Sequence, residues 1–348
     1  MDGVTADAVP PLRLGLVGFG RLARSYYLPA LRRLRGACAV AVADPLPASR
    51  AEAATALRGA AVCEDLSGLL AHAPEALLVA TPPSTHLALW NAAQAASLPV
   101  FLEKPFVLAG ELGAATGDAA ARARLMVNFN RHFWPPYQRL RTLVAAGRVG
   151  RVTRIEFALH VDLRAWSDVT QHRLSAADGG VLHDLGSQAL ALVAWLAGTD
   201  PIGVETTLAS RRWPDDHAML RLRFADGGEA TCDLAYESRT YERVSISGTA
   251  GRLRLDDPNM ALHVEPLRRG RWRGRPRDLA VFAYRALRRS HSMARYSIHA
   301  ALAAFVANVR ARGPFVPGWD AAVRNVRAIE IAVRAAEAGR ELRLETSQ

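Results

Sequence analysis

A short apolar run, Leu12–Val17 (LRLGLV), leads directly into Gly18-Phe19-Gly20-Arg21-Leu22-Ala23. No other stretch constrains the fold of this chain as much. Bounded by Pro11 and Gly18, the run suits a buried parallel strand. Beyond it Leu22, Tyr26, Leu28 and Leu31 continue at helical spacing. Gly18 permits a tight turn, Gly20 lets backbone approach a ligand, and Ala23 lets the helix pack closely on the strand. The helix N-terminus then faces whatever phosphates lie over the turn. A lone G-x-G-x-x-A is a weak signal, but strand before and helix after are the context that makes it a dinucleotide fingerprint.

A second apolar run, Cys38–Ala43, ends in Asp44, 21 residues beyond Ala23. A carboxylate there can accept from both ribose hydroxyls and repels a 2′-phosphate, so NAD is expected over NADP. Arg50 lies nearby and could soften that preference. Ala76–Ala80 reads as a strand, followed by the turn Thr81-Pro82-Pro83-Ser84-Thr85 and a helix from His86. Val100–Leu102 is a further strand ending in Glu103-Lys104-Pro105, and Leu125–Asn128 is one more. Strands alternating with helices predict an α/β, doubly wound parallel sheet whose ligands sit at the strands' carboxyl ends. The expected cofactor residues are Gly18, Phe19, Gly20, Arg21, Leu22, Asp44, Thr81, Pro82, His86, Glu103 and Lys104. For His86, capping or packing at the helix start is the competing role.

Composition singles out one of these residues. Of 44 Lys plus Arg, only Lys104 is lysine. Arg does not shed its proton in a protein, whereas a partly buried Lys can. Lys104 is therefore the candidate for chemistry that needs an amine, with chance survival on the surface as the bland alternative. The net charge of +11 is mostly local, because residues 267–289 hold nine arginines and one acid. That segment reads as a solvated insertion, with contact to an anionic membrane surface or attraction of an anionic substrate as alternatives. No nucleic-acid-binding module is recognisable. The cysteines Cys38, Cys63 and Cys232 are scattered and suggest neither a disulfide framework nor a metal site. With no signal-peptide pattern at the start and no apolar run near the ~20 residues that span a bilayer, a cytoplasmic protein is expected.

These residues resemble the Gfo/Idh/MocA family of oxidoreductases. The resemblance runs through VGFGRLA, ATPPSTH, EKP, NFNRHFWPPYQRL, GGVLHDLGSQ and a closing helix around Ala321–Ala336. It implies a Rossmann domain over 1–130 and a substrate and oligomerisation domain over 131–318. The latter is expected as an α+β domain with a largely antiparallel open sheet. Residues 319–348 are expected to pack back on the Rossmann domain. The runs Val152–Val161, Leu220–Phe224, Ala230–Ala235 and Arg243–Ser247 supply alternating strands consistent with that sheet. The resemblance also implies NAD(H)-dependent oxidation of a sugar, cyclitol or sugar conjugate, and a homo-oligomer, dimer or tetramer. Lys104 would be the acid or base and Asp184 the family's aspartate. An ordinary lysine must be depressed toward about 7–8 for that work.

One position departs from the family pattern. The histidine expected four residues after Asp184 is Gln188, which hydrogen-bonds but cannot relay a proton. Three readings stay open. Lys104 serves alone with Gln188 orienting substrate; His183, His172 or His132 substitutes; or the chain holds NAD without turnover, as a regulator of the same fold. A glycosidase or epimerase that uses NAD without net redox change needs the same residues. Arg131, Trp166, His172 and His183 are expected near substrate, although a salt bridge is the competing role for Arg131.

Overall fold

The computed structural model describes residues 10–115, 117–165, 180–236, 240–256, 261–266 and 292–344. Trp166, His172 and the basic segment 267–289 lie outside the described residues.

Six short strands form the first sheet: β1 Leu12–Val17, β2 Ala37–Ala43, β3 Ala61–Cys63, β4 Ala76–Val79, β5 Val100–Leu102 and β6 Leu125–Val127. All pairings are parallel, in the order β3-β2-β1-β4-β5-β6. This is the doubly wound dinucleotide order, with its reversal between β1 and β4. Every residue of β4, β5 and β6 is buried, because helices cover both faces of a parallel sheet. Those helices are α1 Leu28–Arg33, α2 Pro47–Ala56, α3 Leu66–Leu70, α4 His86–Ala95 and α5 Ala119–Arg122.

The second sheet has eight strands: β7 Val152–Val161, β8 Gly203–Ala209, β9 His217–Arg223, β10 Glu229–Tyr236, β11 Tyr241–Gly248, β12 Gly251–Asp256, β13 Ala261–Pro266 and β14 Leu342–Arg343. Their order is β13-β12-β11-β7-β10-β9-β8-β14, and only β7 and β10 run parallel. Alternation along β7 sends Ile155, Phe157, Leu159 and Val161 to a core shared with helices α6 Pro135–Ala145 and α7 Ser187–Ala197.

Two long helices, α8 Ser292–Ala311 and α9 Trp319–Ala338, follow the second sheet, and both depart from the expected partition. Although α8 falls within 131–318, its Ile298, Leu302 and Phe305 share the Rossmann core with Leu14, Tyr27 and Phe101. The closing helix α9 does not return to the Rossmann domain alone. Its Ala322 and Val326 join the Rossmann core, whereas Ile329, Ala332 and Ala335 lie in the core of the second domain. The tail after it, β14, adds a strand beside β8. A 20-residue helix is about 30 Å long, enough to lie across both domains. Among the described residues no helix is long and apolar enough to cross a membrane.

Candidate active site

The fingerprint turn is shaped as a cradle. Gly18 has φ of +89°, and a Cβ there would meet the Ala80 carbonyl oxygen at 2.7 Å, so only glycine fits. At Gly20 a Cβ would meet nothing within 4 Å, which leaves open space above the turn for a pyrophosphate. Arg21 and Leu22 open the helix, which passes through a π-type turn over Ala23–Tyr27 before α1, and Ala23 is fully buried. Asp44 stands at the end of β2, where its Oδ2 accepts from the Phe19 N–H at 2.7 Å and its Oδ1 from the Leu46 N–H at 2.9 Å. The Arg50 guanidinium donates to the Asp44 and Pro45 carbonyls at 3.0 and 2.8 Å. Each carboxylate oxygen of Asp44 keeps a second lone pair for a ribose hydroxyl. These residues fit an NAD-type dinucleotide. We expect NAD(H) to bind at least about tenfold tighter than NADP(H), roughly 1.4 kcal/mol, because a 2′-phosphate would face Asp44. Calorimetry showing equal or tighter NADP binding would turn attention to Arg50.

At the far end of the sheet β5 delivers Lys104. Its Nζ donates to the Asp184 carbonyl at 2.9 Å and forms an ion pair with the Asp184 carboxylate, both side chains about nine-tenths buried. The Asp184 backbone lies in a second π-type turn, Leu182–Gly186, ahead of α7. Such turns loosen the regular hydrogen-bond ladder and occur often at functional sites. The Asp184 carbonyl accepts from two side chains, Lys104 and Ser187, the latter at 3.0 Å. The Tyr236 hydroxyl, at the end of β10, donates to Asp184 Oδ2 at 3.0 Å. Sequence reasoning missed Tyr236. At the end of an alternating strand it looks like ordinary core, and only its hydroxyl could have hinted at more. Gln188 follows on the same helix, and its Oε1 is buried with no hydrogen-bond partner. The geometry thus gathers an amine, a carboxylate and a phenol, which suits proton handling at a hydroxyl.

Residues 12–130 match the oxidoreductase family with the NAD-binding Rossmann fold, and residues 137–254 match the GFO/IDH/MocA C-terminal domain. An inositol 2-dehydrogenase of Rhizobium meliloti is 30% identical over 71% of this chain and 76% of its own length. Inositol 2-dehydrogenase 4 of Saccharopolyspora erythraea is 31% identical over 76% of this chain and 78% of its own length. The chain belongs to the Gfo/Idh/MocA oxidoreductase family. The same fold occurs in the WlbA dehydrogenase of Bordetella pertussis, solved with NADH and UDP-GlcNAcA. That structure superposes with a TM-score of 0.82 at 19% identity, covering 97% of this chain and 99% of the other.

In this Gfo/Idh/MocA chain several expected site residues prove to be committed within the protein. Arg131 is buried in a two-pronged ion pair with Glu242, both contacts at 2.8 Å, the competing role expected for it. His183 Nε2 accepts from the backbone N–H of Ala109 at 3.3 Å. An acceptor held by a backbone donor is poorly placed to relay a substrate proton. His132 stacks on Trp195 with ring centroids 4.6 Å apart. His86 is fully buried, its Nδ1 2.8 Å from the Pro105 carbonyl and its Nε2 3.1 Å from the Thr81 carbonyl. It staples the Thr81-Pro82 turn to the loop after Lys104. The Thr85 and Thr81 hydroxyls share a 2.7 Å hydrogen bond that tightens the same turn. Glu103 is buried in hydrogen bonds to Tyr27 and Asn128.

Burial holds His86 and His132 down at about 4, against 6.5 for a free imidazole. Both stay neutral in the folded state, and unfolding lets them take up protons. Their contribution is therefore complete above pH 6.5 and is lost as pH falls through about 4. The loss is on the order of 3 kcal/mol per histidine. Urea unfolding should give a clearly lower midpoint at pH 4.5 than at pH 7.5, with a smaller drop in His132→Gln. Equal acid sensitivity of that variant and the wild type would count against the assignment.

Proposed function

We propose that this chain is an NAD(H)-dependent dehydrogenase that oxidises a carbinol of a neutral sugar, cyclitol or sugar conjugate. Lys104 is its acid–base residue. The observation that carries this is the Lys104–Asp184–Tyr236 cluster at the carboxyl end of the sheet, with Gln188, its Oε1 unpartnered, one helical turn beyond Asp184. When bound, the nicotinamide supplies a two-electron acceptor for hydride. Lys104, in its amine form, takes the hydroxyl proton as the carbinol carbon gives up hydride and becomes a carbonyl. The Asp184 carboxylate stabilises the ammonium so formed, and the Tyr236 hydroxyl fixes the other oxygen of that carboxylate. Gln188 Oε1 accepts from a substrate hydroxyl and orients the carbinol, so proton transfer rests on Lys104 alone. The proton then leaves Lys104 for solvent.

Pairing of the nearby cations supports a neutral substrate. Lys104 is bound to Asp184, and Arg131, whose charge Asp184 also feels, is bound to Glu242. The resemblance to inositol 2-dehydrogenases over most of the chain points the same way. The test is NADH formation across a panel of cyclitols, pyranoses and glycosides, with detection of the matching ketone. NAD binding with no NADH from any member would favour the non-catalytic role. Substrate loss without NADH release would favour the redox-neutral one.

A further inference from the structure

Glu103, at the end of β5, is a carboxylate only 7% exposed. Its Oε1 accepts from the Tyr27 hydroxyl and, at 2.8 Å, from Asn128 Nδ2, while its Oε2 accepts from the Lys104 backbone N–H at 3.3 Å. Asn128 also donates to the Tyr27 oxygen at 2.8 Å, closing a triangle across the ends of β5, β6 and the first helix. Burial and then the charge of Glu103 push the Tyr27 phenol well above its usual range, so it remains a donor. Every one of these partners is electrically neutral, and among the described residues no Lys, Arg or His side chain pairs with this carboxylate.

Lys104 is paired with Asp184 and Arg131 with Glu242. Among the described residues the Glu103 carboxylate has no cationic partner, and a buried charge without a counter-ion is costly until an opposite charge arrives. The sheet order says which charge that is. Asp44 on β2 marks the adenosine side of a dinucleotide. The ends of β4, β5 and β6, where Glu103, Lys104 and Asn128 sit, are left to the nicotinamide half. The nicotinamide ring is cationic when oxidised and neutral when reduced. Asn128 Oδ1 is buried without a hydrogen-bond partner at the same strand ends.

We infer that Glu103 makes the site discriminate the redox state of its cofactor, its buried charge favouring the oxidised over the reduced form. By linkage the same charge opposes reduction on the protein and favours release of NADH. The inference rests on the dehydrogenase reading above, but its test needs only binding and no substrate. Dissociation constants for NAD+ by calorimetry and for NADH by its fluorescence are measured for the wild type, Glu103→Gln and Tyr27→Phe, each checked by thermal melting. The wild type should bind NAD+ at least as tightly as NADH. Glu103→Gln should move the ratio of the two constants by about tenfold or more in favour of NADH. Tyr27→Phe keeps the charge and should move the ratio by less than about threefold. An unmoved ratio in Glu103→Gln, or an equal shift in Tyr27→Phe, overturns the role of charge while leaving the dehydrogenase reading intact. Should Glu103→Gln not fold, the wild type decides, and NADH bound more than about tenfold tighter than NAD+ overturns the inference. Binding of neither form overturns both this inference and the dehydrogenase reading.

Discussion

Lys104→Arg should leave NAD bound and reduce hydride transfer by about a thousandfold, within the range that general acid–base groups supply. The substitution isolates the proton from the charge. Lys104 holds the Asp184 carboxylate and its carbonyl at once, and a guanidinium presents donors to both. The ion pair, its burial and the position of α7 are thus preserved. What changes is that arginine does not release its proton at any working pH, so no amine is available to receive one from the carbinol. Single-turnover NADH formation separates this from effects on binding. A variant that kept more than about a tenth of the wild-type rate, a barrier change under ~1.4 kcal/mol, would falsify Lys104 as the acid–base residue. The uniqueness of this lysine among 44 cations would then be composition and nothing more.

How far the sequence reaches depends on whether a feature is local. The boundaries of β1, β5 and β7 follow from apolar runs and alternation, and the fingerprint turn from its glycines, since each needs only neighbours within a few residues. Lys104 could be placed at a strand end by the same local logic. Its meeting with Asp184, 80 residues away, came from the family resemblance rather than from any periodicity. Tyr236 joins the cluster because β10 pairs in register with β7 and ends beside the second π-type turn, and nothing short-range encodes that. The strands β8, β12 and β13 were not singled out, and β14 is two residues long and exists only through its partner β8. The two long helices show the same limit. Their apolar faces announce burial, yet which domain supplies the opposing surface is settled by where the chain has travelled in between. His132 and His183 could relay protons by residue type alone, whereas packing on Trp195 and the Ala109 N–H gives each a structural task.

Arg131 offers the largest stability effect, and its measurement decides between two roles. Nε and Nη2 of Arg131 each reach a separate oxygen of Glu242 at 2.8 Å, and the Tyr137 hydroxyl donates to the same carboxylate. The guanidinium also lies 5.3 Å from the centre of the Trp134 ring. This group ties the short turn Asn130–Phe133, where the chain leaves the Rossmann domain, to β11 of the second sheet. Arg131→Met keeps most of the side-chain volume but strands the Glu242 carboxylate in a site that is 7% exposed. Breaking a buried pair on one side costs about 3–5 kcal/mol, because the remaining charge is neither solvated nor paired. For a domain of this size that is a fall in melting temperature of roughly 10 °C. Removing both charges together, as Arg131→Met with Glu242→Leu, should recover much of the loss, since an apolar pair of similar volume pays no desolvation cost. Tyr137 then loses an acceptor for its hydroxyl, so recovery should stop short of wild type by about 1 kcal/mol. A thermal-melting cycle over the four proteins measures the coupling directly. Unchanged stability in Arg131→Met, together with weaker binding of substrate, would return Arg131 to the substrate pocket and leave Glu242 to be explained.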